Sequence, residues 1–371
     1  MKSLFKKLYK VPLTIVFLVT LVSCFGFLLM YSAAQGSIYP WALRQMIHFA
    51  IFMPMMVFIS LIDLRTWYKS AYLLYFIAIS LLLLVHLLGY TAMGATRWIN
   101  LGIIKLQPSE LMKICIILAL ARYFHDLNNK DLNLRNILAP TLMLIIPAAL
   151  IIKQPDLGTG LILLMLGVML FFIAGVKRWI FTAGFICISI ALPIIWQFLH
   201  DYQKNRILNF IDPERDPLGS SYNIIQSKIA IGSGGFFGKG FMKGTQSQLQ
   251  FLPEHQTDFI FTMLCEEWGM FGGLLLLIIF SILIFYCYII ALNARSKFAK
   301  LLALGITSMF FLHVFINIGM VMGIIPAVGV PLPLLSYGGT MMMTILIGFG
   351  LVMSVHIHSN YSINNALQKL F

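Results

Sequence analysis

Only 13 acidic side chains occur in the 371 residues, so each one beside an apolar stretch calls for a reason. Asp258 stands in Thr257-Asp258-Phe259-Ile260-Phe261, just after Pro253, where a long apolar run begins. An acid in the first turn of a helix suits the helix dipole, and Thr257 is placed to cap it. The same carboxyl at the edge of apolar surroundings has its pKa pushed up, towards the range where it accepts a proton as a general base. Glu266 lies eight positions on and close to the same helical face, and Glu267 points about 100° away. That pair also suits plain pairing with polar groups on neighbouring helices.

Further along the chain, Glu110 and Lys113 are three residues apart, so a helix puts them on one face. They read either as a mutually neutralising pair that lets the helix enter lipid, or as fixed charges at a cavity wall. Lys153-Gln154-Pro155-Asp156 is a short Pro-broken turn, and Gly158 and Thr159 place Asp156 at a helix start. A tight hairpin explains it equally well. Gly232-Ser233-Gly234-Gly235-Phe236-Phe237-Gly238-Lys239-Gly240 invites comparison with a nucleotide-binding loop. The spacing before Gly238 is one residue too long, and Gly240 replaces the required Ser or Thr, so ATPase chemistry is excluded. Free backbone N–H groups beside Lys239, Lys243 and Arg206 suit a phosphate, and a flexible loop without that role suits the same residues. Pro326, Pro331 and Pro333, followed by Ser336-Tyr337-Gly338-Gly339, cannot continue a helix. Non-helical backbone at membrane depth is tolerated where it lines protein or a water-filled cavity, so a re-entrant segment is expected there.

The elements that must position these groups are membrane helices. Hydrophobic residues make up 60% of the chain and charged residues 11%, against roughly 25% charged in soluble domains. Apolar stretches long enough to cross a bilayer recur near 11–32, 45–62, 71–91, 108–124, 137–153, 157–175, 179–199, 259–292, 300–323 and 338–357. The eighth is too long for one straight crossing. Gly269, Gly272 and Gly273 interrupt it, so a short segment is expected before the span proper. The expectation is an all-α polytopic membrane protein of about ten transmembrane helices. Residues 1–371 form one integral domain, with a large loop, 200–258, between helices seven and eight.

The first apolar segment follows the basic stretch Met1 to Lys10, and its length marks a retained helix rather than a cleaved signal. The net charge of +13 reports topology here, not nucleic acid, because Lys and Arg accumulate on one side. That side holds both termini and residues such as Arg65, Lys69, Arg122, Lys177, Arg178, Arg295 and Lys300. Arg44, Arg97, Lys105 and Lys153 fall on the short connections opposite. Both termini are therefore expected in the cytoplasm and the 200–258 loop outside. Arg97, Glu110, Lys113, Lys153, Asp156, Asp258 and the 323–339 stretch then gather at the outer ends. The five cysteines lie in apolar segments with no CxxC pair, so neither a disulfide framework nor a zinc site is expected.

These residues fall into motifs. They are Gly94-Ala95-Thr96-Arg97-Trp98-Ile99, Gln107-Pro108-Ser109-Glu110, Gln154-Pro155-Asp156-Leu157-Gly158 and Arg206 through Asp212-Pro213 and Asp216-Pro217-Leu218-Gly219. They continue through Gln226-Ser227-Lys228, Gly244-Thr245-Gln246-Ser247, Leu252-Pro253-Glu254, Thr257 to Phe261 and Pro333 to Gly339. The whole set resembles the SEDS (shape, elongation, division, sporulation) family of cell-wall polymerases. Gly238-Lys239-Gly240 with Gly244 to Ser247 resembles its elongation branch more than its division branch.

The resemblance implies a peptidoglycan glycosyltransferase that polymerises lipid II during cell elongation and shape maintenance. Asp258 matches the family's essential acid. By that analogy it takes the proton of the acceptor GlcNAc 4-hydroxyl, whose oxygen attacks C1 of the donor MurNAc and releases undecaprenyl pyrophosphate. Arg97, Lys113, Arg206 and Lys239 are the candidates to neutralise the pyrophosphate, with a divalent cation (Mg or Mn) as a further candidate. Glu110 and Asp156 would orient those cations, and Gln226 and Ser336 complete the candidate substrate-binding set. The implied partners are a class B penicillin-binding transpeptidase and other membrane proteins of the elongation complex, in the bacterial inner membrane. Family members commonly place His directly before the Thr-Asp pair; here His255 is shifted by one and takes no role. A lipid II transporter, a division-type polymerase and a non-catalytic scaffold are the competing readings.

Overall fold

The computed structural model describes residues 7–88, 90–92, 95–100, 105–127, 134–198, 201–212, 222–248 and 254–359. Gly94, the 213–219 part of the long motif, Leu252-Pro253, and the charges Lys2, Lys6, Lys130 and Lys369 lie outside the described residues.

Ten long helices fall on the ten expected spans: α1 Leu13–Ala33, α2 Trp41–Leu61, α3 Leu64–Leu88, α4 Pro108–Asp126, α5 Leu134–Lys153, α6 Leu157–Ala174, α7 Arg178–Phe198, α11 Ile260–Leu292, α12 Lys297–Val321 and α13 Gly339–Ile357. Between α7 and α11, three shorter helices, α8 Asp201–Ile211, α9 Tyr222–Ser233 and α10 Thr245–Gln248, give the 200–258 loop a folded core. Eight of the ten are long and apolar enough to cross a membrane by themselves. The exceptions are α4, which carries Glu110, Lys113 and Arg122, and α7, apolar over Arg178–Ile194. The chain is a multi-pass membrane protein. One departure from an all-helical reading is local: short strands β1 Tyr90–Ala92, β2 Ala95–Asn100 and β3 Lys105–Leu106 pair antiparallel in the α3–α4 connection, with β2 in the middle.

Helix ends follow local chemistry. Pro108 opens α4 where its missing N–H has no partner to lose. Asp156 caps α6 by accepting from Thr159 N, and Gly175 ends it in the left-handed conformation. Ser296 caps α12 by accepting from Ala299 N at 3.1 Å. Helix α12 is central, 83% of its apolar window buried, and packs on α4, α6, α11 and α13. Helix α13 lies mainly along α2. A side chain at Gly350 would stand 2.7 Å from the Met56 carbonyl oxygen, so a bare backbone is what lets these two helices touch.

Helix α11 is broken. Gly269 has φ 68°, which divides the element into a short first part and the long spanning part, as the glycines foretold. The 322–338 connection is non-helical, and its 330–336 part is largely buried, with Val330, Leu332, Leu334 and Leu335 all under 4% exposed. It runs beside the middle of α1, where a Cβ on Gly26 would meet Leu335 Cα at 2.9 Å. Irregular backbone thus sits at depth because protein surrounds it, as the proline spacing led one to expect.

Candidate active site

Asp258 lies in the turn before α11, not in the helix. The expected Thr257 cap is absent, because its hydroxyl donates back to the Glu254 carbonyl at 3.1 Å. The face shared by Asp258 and Glu266 is lost as well, since only Glu266 is helical. The turn is held from outside instead. Three successive carbonyls accept hydrogen bonds from the far end of the chain: Gln256 O from Tyr337 N at 2.9 Å, Thr257 O from the Ser336 hydroxyl, and Asp258 O from Asn317 Nδ2 at 2.8 Å. Ser336 also accepts from Leu332 N at 2.7 Å, and Gln45 brackets it by donating to Ser336 O and accepting from Gly338 N. Its hydroxyl is committed to shaping the turn.

The Asp258 side chain is half-buried and its pKa is raised to about 7. Burial is the main cause, the charge of Glu254 adds to it, Arg206 and then Arg97 oppose it, and Asp156 adds a little more. These groups arrive from separate elements: Arg97 from β2, Asp156 from the start of α6, Arg206 from α8. Arg97 donates to the Pro155 carbonyl and stands 3.9 Å from Asp156 Oδ1, and Gln107 Nε2 donates to Asp156 Oδ2 at 3.1 Å. Asp156 thus caps α6 and orients Arg97 at once. Arg206 Nη1 donates to Val328 O at 3.3 Å.

The other expected residues stand apart from this group. Lys113 is 1% exposed, and its ammonium lies 2.7 Å from both Glu110 Oε1 and His313 Nε2. With His313 Nδ1 at 2.8 Å from Met309 O, the imidazole is arranged to donate there and accept from Lys113. The geometry makes Lys113 an internal strut between α4 and α12, which corrects the reading of it as an accessible cation. Glu110 Oε2 has no partner among the described residues.

Lys239 is likewise committed: its ammonium lies 2.7 Å from Glu266 Oε1, an oxygen that also accepts from Thr245 Oγ1 at 3.2 Å and Gln246 N at 2.9 Å. The glycine-rich stretch clamps the break in α11. Lys239 N and Gly240 N donate to Glu266 O and Glu267 O, each at 3.0 Å, while Gly235 O and Phe236 O accept from Met270 N and Phe271 N. A Cβ at Gly238 would stand 2.2 Å from Glu267 O. These N–H groups and glycines serve close contact with the helix rather than a phosphate, and the stretch is folded rather than loose. Glu267 accepts from the Ser32 hydroxyl of α1. Gln226 is half-buried on α9 and makes no hydrogen bond among the described residues, whereas its neighbour Ser227 bonds Thr262 Oγ1 and Val321 O at 2.6 and 2.8 Å. His255 is buried against Trp41, ring centroids 5.7 Å apart.

Sequence reading missed Asn317, His313 and Glu254. Asn317 and His313 sit four apart on one face of an otherwise apolar helix, a signal that intramembrane polar residues demand partners. Among the described residues no three His, Cys, Asp or Glu side chains could share one metal ion.

Residues 10–361 match the cell cycle protein family of FtsW, RodA and SpoVE. The chain is 43% identical over 340 residues to peptidoglycan glycosyltransferase MrdB of Escherichia coli K12, covering 89% of this chain and 91% of that one. Among solved structures, a chain from a study of how a peptidoglycan synthase complex coordinates polymerization and crosslinking superposes with a TM-score of 0.84 at 29% identity, covering 95% of this chain and 99% of that one. The rod shape determining protein RodA of Thermus thermophilus superposes with a TM-score of 0.72 at 26% identity, covering 95% and 98%. With residues 10–361 matched by the family model and 95% of the chain matched in fold, this chain belongs to the FtsW/RodA/SpoVE cell cycle protein family.

Proposed function

We infer that this protein is a peptidoglycan glycosyltransferase that polymerises lipid II into glycan strands during cell elongation and shape maintenance. The observation that carries the chemistry is Asp258, half-buried, with its pKa raised to about 7 and two arginines near it. A base of that pKa is deprotonated in useful amount at neutral pH yet still takes a proton readily. Asp258 accepts the proton of the acceptor GlcNAc 4-hydroxyl as that oxygen bonds to C1 of the donor MurNAc. The C1–O bond to phosphate breaks, and its electrons leave with undecaprenyl pyrophosphate. Arg97 and Arg206 are the cations for that leaving group, since developing charge is best met by donors already in place. Asp156 orients Arg97. Lys113 and Glu110 support the site from within the bundle, Lys239 from the loop that grips α11, and Ser336 shapes the turn that bears Asp258.

A divalent cation, Mg or Mn, fits as a companion of the pyrophosphate rather than a resident ion. The described residues offer no three-ligand cluster, and Mg commonly takes one or two carboxylates plus substrate phosphates.

The active face is extracytoplasmic and both termini cytoplasmic, supported by the distribution of Lys and Arg along the chain. The protein works in the bacterial inner membrane. A class B penicillin-binding transpeptidase is its partner, supported by the fold shared with a chain of a peptidoglycan synthase complex, and other elongation-complex membrane proteins join it. The elongation reading rather than the division one is favoured by the similarity to MrdB and by the Gly238-Lys239-Gly240 pattern. A lipid II transporter is disfavoured because Glu110 and Lys113, near the start of α4, are tied to each other and to His313 instead of lining a polar path.

The deciding experiment is lipid II polymerisation by purified protein with its transpeptidase, wild type against Asp258→Asn at equal folded amounts. Strands from wild type alone support the reading. Transbilayer movement of lipid II with no strands from either would replace it with the transporter.

A further inference from the structure

We propose that Asn317 and Met320, on one face of α12, are positioning residues that fix where Asp258 and Arg206 stand relative to each other. The proposal rests on the reading of Asp258 as the base.

Asn317 is 0% exposed. Both hydrogens of its Nδ2 are used, one on Asp258 O at 2.8 Å and one on Val330 O at 2.7 Å. One amide thus ties the turn that bears the base to the non-helical 322–338 connection. One helical turn on, the Met320 thioether faces the same connection. Its Sδ lies 3.3 Å from Val328 N and 3.4 Å from Gly329 N, so it accepts from two successive N–H groups. Sulfur is a weak acceptor, but Leu, Ile, Val and Phe offer none at all.

The three residues gripped in this way, Val328, Gly329 and Val330, are where the two reactive groups meet. Val328 O accepts from Arg206. Gly329, at φ 72°, lies against the carboxylate: a Cβ there would be 3.4 Å from Asp258 Oδ2. From the opposite side Gly158 closes in, its hypothetical Cβ 2.7 Å from Val328 O. The 328–330 stretch therefore acts as a spacer between base and cation, and α12 sets its position through Asn317 and Met320. Asn317 Oδ1 has no partner among the described residues. A buried amide oxygen left unpaired is costly, and a residue kept only for packing would avoid it.

The test uses the full-length protein with its transpeptidase. Lipid II polymerisation rates are measured from pH 5.5 to 9 for wild type, Asn317→Ala, Met320→Leu and Asp258→Asn, with melting temperature as the fold control. Glu254, Arg206, Arg97 and Asp156 are the charged groups facing Asp258, and all four are kept in the two positioning variants. For Asn317→Ala we expect kcat to fall ~10- to 100-fold with KM within about twofold, as for a misplaced catalytic group. The midpoint of the pH profile should move below that of wild type, because a released Asp258 gains water. Met320→Leu is nearly isosteric and should fold even where Asn317→Ala does not; it should show the same direction, ~3- to 10-fold. Activity lost only in proportion to folded protein, with the wild-type pH midpoint, overturns the proposal. If Asp258→Asn still polymerises, the base reading itself fails; if it is inactive while both positioning variants keep the wild-type profile, only the positioning role fails.

Discussion

Lys239 and Glu266 meet at 2.7 Å beside the break in α11, tying a loop lysine to a fully buried carboxylate. Removing the lysine takes away the ammonium at 2.7 Å from the buried Glu266 carboxylate, while the neutral donors Thr245 Oγ1 and Gln246 N stay among its partners. Lys239→Ala should therefore lower stability by about 2 kcal/mol, discounted from the usual buried-pair loss because Lys239 is 25% exposed. The double variant Lys239→Met/Glu266→Gln should recover most of that. A melting series in detergent reads both, and a single variant as stable as wild type would dismiss the pair.

The pH dependence follows from the groups around Asp258. Its pKa is about 7 and it acts deprotonated, so the rate should rise with pH through a midpoint near 7. Arg206 pulls that pKa down, so Arg206→Gln should move the midpoint up even as it lowers the maximum rate. Glu254 pushes it up, so Glu254→Gln should move the midpoint down. Rates over pH 5.5 to 9 decide it; shifts of the same sign in both variants would contradict the assignment. Stability has the opposite trend. The folded acid holds its proton longer than the unfolded one, so its contribution falls as pH rises from about 4 to about 7.

Within the glycine-rich stretch, two neighbours should behave differently. Gly238 has φ 80° and lies against the Glu267 carbonyl, whereas a Cβ on Gly232 meets nothing within 4 Å. Gly238→Ala should lose about 3 kcal/mol from clash and backbone strain together. Gly232→Ala should stay within about 1 kcal/mol of wild type. Melting temperatures of the pair check this, and equal losses would mean the stretch does not grip α11.

Lys113 gives the fourth test. Lys113→Met strands the buried Glu110 and should cost about 3–5 kcal/mol, while Lys113→Met/Glu110→Gln should return most of it. Unfolding of both variants, beside polymerisation by the folded fraction, separates the strut from a direct role at the substrate. Full stability in the single variant would remove the strut.

The spans were legible because a bilayer demands a long apolar run of each crossing; eight of the ten helices meet that demand by themselves, and all ten fall on apolar runs read from the chain. The break at Gly269 was legible for a local reason, three glycines in five residues. The Glu110–Lys113 pair was legible because helical spacing alone brings it together. What escaped depends on partners far apart in sequence. The turn 256–258 receives its bonds from Tyr337, Ser336 and Asn317, and nothing near Lys239 announces that its mate is Glu266. Thr257 shows the opposite error, a local rule applied at a position where tertiary contacts had already fixed the turn. The strands around Arg97 escaped because they are two to six residues long and set within a short connection.

The break in α11 also bears on how the protein comes to be assembled. A ribosome delivers residues 234–240 before it delivers 266–271, so the gripping segment precedes the helix it grips. The two can join only on the same side of the bilayer, so the span that follows Gly269 must enter from the side where the clamp waits.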